Sequence, residues 1–399
     1  MPTPREFLFG PWRAVSVLGV TQILAWGALF YPPVLTVPLI AADHAWSKSF
    51  AMGGFSLGLF TGGLVSRHVG AAIDRFGGHV VMPAGSLLGA GGLVGLVSAQ
   101  TGLAYFAVWA VLGAAMAGSL YDPAFATLGR IFGTEARAPI TTLTLAGGFA
   151  STVSWPATQF LIDAVGWRGT YLVYAALLAL VAAPLHAFAL PRRHAEHARP
   201  AAPALGLQTT TLLPARGLAF VLVAAGFAAY AFVPSALSAQ LLAMFQRFGL
   251  APPTAVLIGM LFGPAQVLAR IGELVFARKW QPLWIARGAV GILVAGFALL
   301  ALLPFTVAVA ALFAVLYGMA NGLMTIARGT VPLALFGASG YGLLVGRIGG
   351  PFLAVQAVAP VALTYVAEHA SDALGLVLVA GFAVVALACF AAIRAPARG

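Results

Sequence analysis

Ionised side chains are scarce in this chain. Asp, Glu, Lys and Arg together make up 8 % of its 399 residues, where a soluble domain carries about a quarter. With 61 % of the residues hydrophobic, no soluble fold could bury the apolar surface, and a soluble globular protein is excluded. Cysteine is almost absent: Cys389 is the single one, inside the last apolar run, which leaves neither a disulfide framework nor a cysteine metal cluster. The seven histidines show no metal-ligand spacing with carboxylates or cysteines. No Gly-x-x-x-x-Gly-Lys phosphate loop occurs, which argues against ATP-driven pumping. Nothing points to an enzyme, and no cofactor is expected. The formal charge of +11 is spread over short loops rather than gathered on one patch, so nucleic acid is not an expected partner.

What the chain does have is long apolar runs. Twelve are spaced along it, at about 14–38, 49–69, 80–98, 103–129, 139–162, 168–189, 217–243, 254–276, 283–303, 306–333, 341–367 and 372–393. Each is close to the length of a membrane-crossing helix, which predicts an all-α polytopic membrane protein. Arg5 and Arg13 precede the first run, which continues past signal-peptide length and reads as an anchor. The one long polar interval, Pro191 to Arg216, separates an expected N-terminal bundle (1–190) from a C-terminal bundle (217–399), with 191–216 as a cytoplasmic linker. With the N-terminus placed inside, 16 of the 21 Lys and Arg fall on the cytoplasmic side. The bias predicts a cytoplasmic (inner) membrane protein with both termini inside.

Between the second and third runs stands Gly70-Ala71-Ala72-Ile73-Asp74-Arg75-Phe76-Gly77-Gly78-His79, expected as a ten-residue polar hinge. It resembles the loop between the second and third helices of the major facilitator superfamily, Gly-x-x-x-Asp-Arg-x-Gly-Arg-Arg/Lys. Gly70, Asp74, Arg75 and Gly77 match, whereas Gly78 departs and His79 is a partial substitute. The halves also echo one another at an offset of 204 residues: Gly118 meets Gly322, Phe132 meets Phe336, Gly133 meets Gly337 and Pro156 meets Pro360. The resemblance implies twelve transmembrane helices in two pseudo-symmetric six-helix bundles, working by alternating access around a mid-membrane site. A finer likeness, to monocarboxylate and oxalate-type transporters, rests on Trp46-Ser47-Lys48 and on Gln266-Val267-Leu268-Ala269-Arg270. In that branch the latter stretch reads Asp-x-x-x-Arg; here the arginine is kept and the aspartate is not. The antiporter pattern Gly-x-x-x-Gly-Pro-x-x-Gly-Gly is poorly met, since Trp155 replaces the glycine before Pro156.

A charge inside a span costs about 2.5–3.5 kcal/mol on insertion scales, so Asp122, Arg270, Glu273 and Arg328 each need a reason. Arg270 and Glu273 lie three residues apart, on one helical face. A structural ion pair is one reading; the other has Arg270 gripping a substrate carboxylate and Glu273 taking up a proton. Asp122 and Arg328 lie at similar depth in helices related by the repeat and are candidate gate residues, as are Asp74 and Arg75 in the hinge. Each also has a local reading, Asp122 with the Arg75 loop and Arg328 with helix-terminal carbonyls. The remaining substrate-binding candidates are Trp26, Tyr31, Trp155, Gln159, Tyr230, Gln266, Tyr317, Asn321 and Gln356, for each of which ordinary interhelical packing is the competing account. Together these residues predict a secondary transporter for a small organic solute, first an organic anion, with protons as the coupling ion. Export of a neutral or cationic drug-like compound is the alternative. The expected partners are the small-molecule substrate and the bilayer, and the expected state is a monomer.

Overall fold

In lipid a backbone amide has no water to bond, and a helix satisfies its amides and carbonyls within one segment. The computed structural model describes residues 10–192, 217–277 and 280–394, and every regular element among them is helical. In order these are α1 (Arg13–Leu29), α2 (Pro33–Asp43), α3 (Lys48–Phe76), α4 (Gly78–Ser98), α5 (Gly102–Ser119), α6 (Tyr121–Phe132), α7 (Arg137–Gly147), α8 (Ala150–Leu177), α9 (Leu218–Arg247), α10 (Pro252–Gly259), α11 (Phe262–Phe276), α12 (Pro282–Leu302), α13 (Val307–Phe336), α14 (Tyr341–His369) and α15 (Asp372–Ala392). Two π-helical turns, Leu178–Ala182 and Leu185–Ala189, continue α8. The proposed linker lies almost wholly outside the described residues, as do Arg5 and the basic pair Arg278-Lys279.

Among the described residues, eleven helical segments are long and apolar enough to cross a membrane. One of them, Arg137–Ala189, runs for 53 residues, about 80 Å as a continuous helix and more than twice the ~30 Å hydrocarbon core. It breaks at Gly166, whose φ of 71° has no place in a helix, so it holds two of the predicted runs and the crossings number twelve. Three other spans are interrupted, among them Pro252–Phe276 between Gly259 and Phe262. The first breaks between Leu29 and Pro33, where Pro33 opens α2. The fourth breaks at Leu120 (φ −84°, ψ −154°), and α6 starts beyond it.

The expected ten-residue hinge needs correction. α3 stays helical through Phe76 and α4 starts at Gly78. The turn is Gly77 alone, at φ 88°, with its amide donating to the Ile73 carbonyl at 2.8 Å. A residue with a Cβ is strained at that φ, so one glycine does the work expected of ten residues. Arg75 is exposed there, its guanidinium 5.0 Å from the centre of the Phe76 ring.

The 204-residue repeat is written into the helix ends. Gly78–Ser98 becomes Pro282–Leu302 at both limits, the end of α6 at Phe132 becomes the end of α13 at Phe336, and the start of α7 at Arg137 becomes the start of α14 at Tyr341. It extends to an ion pair. Arg168 Nη1 bonds Asp43 Oδ2, and Arg247 Nε bonds Asp372 Oδ2 at 2.6 Å, each across 125 residues. Asp43 shifted by 204 is Arg247, and Arg168 so shifted is Asp372, so each half ties its first span to its last with the same clasp and opposite charges. The Asp372 carboxylate holds the Arg247 guanidinium above its ordinary pKa. Because one half already carries the inverted arrangement, the double change Asp43→Arg with Arg168→Asp should recover part of the unfolding temperature that either single change loses, the Trp167 Nε1 bond to Asp43 Oδ2 at 3.3 Å being lost with the aspartate. Either single change should lower that temperature, since it loses an exposed pair of ~0.2–1 kcal/mol and sets two like charges opposite one another. Thermal unfolding in detergent reads the cycle.

By contact the chain divides into two units, Met1–Gln208 with Gly337–Gly350, and Thr209–Phe336 with Pro351–Gly399. The first turns of α14 therefore belong with the first unit. There α3 packs most extensively against α5; in the second unit α13 holds α11 and α12, and α9 lies along α15.

Candidate functional site

In the first unit the break in span four organises a polar and aromatic cluster. A carbonyl freed inside a membrane helix must find another donor. Ser119 finds one in Gln22, whose Nε2 donates to its carbonyl at 2.8 Å, and Gln22 Oε1 in turn accepts from Trp26 Nε1 at 3.1 Å. Around Trp26 stand Phe30, Tyr31 and Tyr121, with ring centres 4.8, 5.9 and 5.1 Å away. Tyr31 meets Trp155 edge-on at 6.3 Å. Of the predicted residues, Trp26, Tyr31 and Trp155 thus come together. Gln159 is exposed one turn beyond Trp155 and donates to Asp163 at 2.8 Å, joining its own helix rather than the cluster.

Asp122 sits in the first turn of α6, where the helix dipole favours a negative charge. Its carboxylate lies against α14: a Cβ on Gly349 would stand 2.6 Å from Oδ2. Beside it is a cavity of about 10 Å³, room for one water, lined among others by Ser66, Gly70, Asp122 and Gly346. A few turns away, Asp74 caps α14 in trans. Oδ1 accepts from the Gly342 amide at 2.8 Å and Oδ2 from the Leu343 amide at 2.7 Å, two of the donors that a helix start leaves unpaired. Arg130 serves the opposite pole, donating to the Ile73 carbonyl at 3.2 Å and to the Asp74 carbonyl at the end of α3.

In the second unit the predicted residues cluster more tightly. Tyr230 Oη donates to Asn321 Oδ1 at 2.7 Å, and Thr325 Oγ1 donates to the Asn321 carbonyl at 2.8 Å. Arg270, 3 % exposed, reaches from α11 with Nε 3.4 Å from the Gly322 carbonyl and Nη2 3.4 Å from Thr325 Oγ1. α11 approaches this closely because α13 offers glycines one turn apart. A Cβ on Gly318 would stand 2.7 Å from the Phe262 carbonyl, and one on Gly322 would stand 2.5 Å from the Gln266 carbonyl. Tyr317 extends the group through its contact with Phe262 at 5.1 Å. Glu273, also 3 % exposed, lies one turn beyond Arg270. Two predicted residues sit apart: Gln356 offers its carbonyl to Ser235 Oγ at 2.7 Å, and the Arg328 guanidinium lies 3.6 Å from the centre of the Phe352 ring.

Sequence reasoning missed Thr325, although its place four residues after Asn321 puts it on the same face. It also missed His186, which is fully buried, with Nε2 2.8 Å from Thr21 Oγ1 and Nδ1 3.2 Å from Ser86 Oγ. That histidine joins three spans far apart in sequence, and no local pattern announces it.

The described residues thus hold a duplicated set of membrane-crossing helices with Arg270 and Glu273 buried inside. The family profile of the Major Facilitator Superfamily matches residues 16–352, and the chain belongs to that superfamily. No curated protein sequence matches the chain. Among solved structures it is similar to the human organic anion transporter MFSD10 (TETRAN), with a TM-score of 0.71 and 15 % identity, covering 98 % of this chain and 100 % of that one. It is also similar to the proton:xylose symporter XylE bound to 6-bromo-6-deoxy-D-glucose, with a TM-score of 0.68 and 14 % identity, covering 96 % and 95 %. At such identities the likeness speaks to the fold.

Proposed function

We propose that the chain is a secondary active transporter of a small organic anion in the cytoplasmic membrane, working by alternating access with both termini cytoplasmic. The observation that carries this reading is Arg270, a guanidinium 3 % exposed within a span, aimed at Gly322 and Thr325 with bonds of 3.4 Å, the long end of the range. A substrate carboxylate suits this always-charged group, which grips such anions bidentately, with Tyr230 and Asn321 supplying further hydrogen bonds. Gln266 stands where the monocarboxylate and oxalate-type branch has an aspartate, so in this reading proton coupling moves to Glu273 or Asp122. Asp74, with Arg75 beside it, acts as a gate element by holding the start of α14. The fold that the chain shares with an organic anion transporter and with a proton:xylose symporter accommodates an anionic solute and proton coupling. The half-exposed rings of Trp26, Tyr31 and Trp155 favour a second reading, export of a neutral or cationic aromatic compound.

Thermal unfolding of the purified protein against carboxylates, amino acids and lipophilic cations separates the two. A bound ligand at a hundred times its Kd stabilises by about 2.7 kcal/mol. A carboxylate should raise the midpoint in wild type and fail to do so in Arg270→Ala. Stabilisation by lipophilic cations, unchanged in Arg270→Ala, would overturn the anion reading in favour of the second.

A further inference from the structure

The second unit also carries a cavity that shares Glu273 with the surroundings of the Arg270 cluster. It measures about 670 Å³ and runs between α11, α12 and α13. Its walls include Leu268, Phe276, Ile292 and Met319, and Glu273 is the single ionisable residue lining it. With that acid only 3 % exposed, the wall offers water few hydrogen-bonding partners, and an apolar cavity stays dry. Leu268 is 67 % exposed and Phe276 82 % exposed along it, on segments that cross a membrane, so the groove opens to hydrocarbon. From Leu261 to Phe276 it follows α11 for about 22 Å, longer than one leaflet of a ~30 Å core.

One end of the groove has a different character. Trp280 and Trp284, both exposed, stand there where one span ends and the next begins, as tryptophans do at the headgroup level. The Arg287 guanidinium lies 4.5 Å from the centre of the Trp284 ring. It is held there by Nε to the Phe390 carbonyl at 3.0 Å and Nη2 to the Ala391 and Ile393 carbonyls at 3.2 and 2.5 Å. An apolar channel of tail length thus ends at a fixed cation flanked by interfacial rings. We propose that this groove is a binding site for an anionic phospholipid, one acyl chain lying along α11 and the phosphate at Arg287 and Trp284. The site does not depend on which solute is carried.

Two glycines make the test clean. Gly272 and Gly288 line the groove, and a Cβ on either would meet nothing within 4 Å, so leucines there start from open space and take up channel volume. Native mass spectrometry of the full chain in detergent should show wild type binding phosphatidylglycerol at least tenfold more tightly than phosphatidylcholine of the same chains. Gly272→Leu with Gly288→Leu should weaken both lipids at least tenfold, whereas Arg287→Gln should remove only the preference for the anionic one. Equal lipid binding by wild type and the filled variant would overturn the site, and equal affinity of wild type for both lipids would overturn the anionic headgroup. Should the filled variant misfold, nanodiscs with brominated-chain phosphatidylglycerol give a second reading. Saturable quenching of tryptophan emission should fall in Trp280→Phe with Trp284→Phe, and unchanged quenching counts against the site.

Discussion

Asp74→Ala should open the junction between α3 and the start of α14, seen as a faster reaction of a thiol buried in it. Ser66 is 3 % exposed at that junction and bonds only within its own helix, to the Gly62 carbonyl at 2.7 Å, so Ser66→Cys in a Cys389→Ser background is a quiet reporter. The Asp74 carboxylate makes two charge-assisted bonds, to the Gly342 and Leu343 amides. Hydrogen bonds to a charged group contribute about 1.5–3 kcal/mol each. Even one such contribution, taken at the lower end because Asp74 is half-buried, amounts to roughly a tenfold change in the closed-to-open ratio. Labelling should therefore accelerate tenfold or more in Asp74→Ala and less in Asp74→Asn, which keeps an acceptor but loses the charge. Gly342→Ala should act in the same direction by another cause, since its Cβ would stand 2.5 Å from the Gly70 carbonyl and force the backbones apart. Labelling at the wild-type rate in all three would mean that this contact does not hold the junction closed.

That junction shows what a sequence carries and what it leaves out. The spacing Gly70-x-x-x-Asp74-Arg75-x-Gly77 marked the place, because a charge next to glycines between two apolar runs has few other uses. The partner was not legible: Gly342 lies 268 residues away and offers a backbone amide, which every residue type but proline has. Helix limits were legible because lipid demands long apolar runs, and the repeat sharpened them. Gly77 was misjudged as part of a long hinge because polar residues near a membrane surface look like loop, while the helix hydrogen bonds simply continue to Phe76. The buried residues divide the same way. Tyr230, Asn321 and Arg270 stood out as polar side chains in apolar runs, and they meet in one network. Gln159 stood out for the same reason, yet bonds to Asp163 on its own helix. Polarity inside a span says that a partner is needed, not which one.

The clasp at the ends of each half is legible only in retrospect. Asp43 with Arg168 and Arg247 with Asp372 occupy equivalent positions with inverted charge, so a search for identical residues at the 204 offset passes over both. Duplication here preserved an interaction and not the residues that make it.

Gly322→Leu should abolish the carboxylate-dependent stabilisation as fully as Arg270→Ala, although it removes no polar group. The two helices touch backbone to backbone at Gly322, where a Cβ would meet the Gln266 carbonyl at 2.5 Å and the Gln266 Cα at 3.0 Å. Neither is the movable end of a side chain, so α11 as a whole must retreat, and Arg270 retreats with it. Its bonds to Gly322 and Thr325 are already 3.4 Å long, and a further few tenths of an ångström takes them out of hydrogen-bond range. Overpacking a filled interior costs about 1–3 kcal/mol, so the midpoint without ligand should fall for Gly322→Ala and fall further for Gly322→Leu. Gly272→Ala on α11, with open space around its Cβ, should leave both readings at wild type. Were Gly322→Leu to keep the ligand response of wild type, Arg270 would be binding from a helix free to move, and the network with Asn321 and Thr325 would not be what aims it.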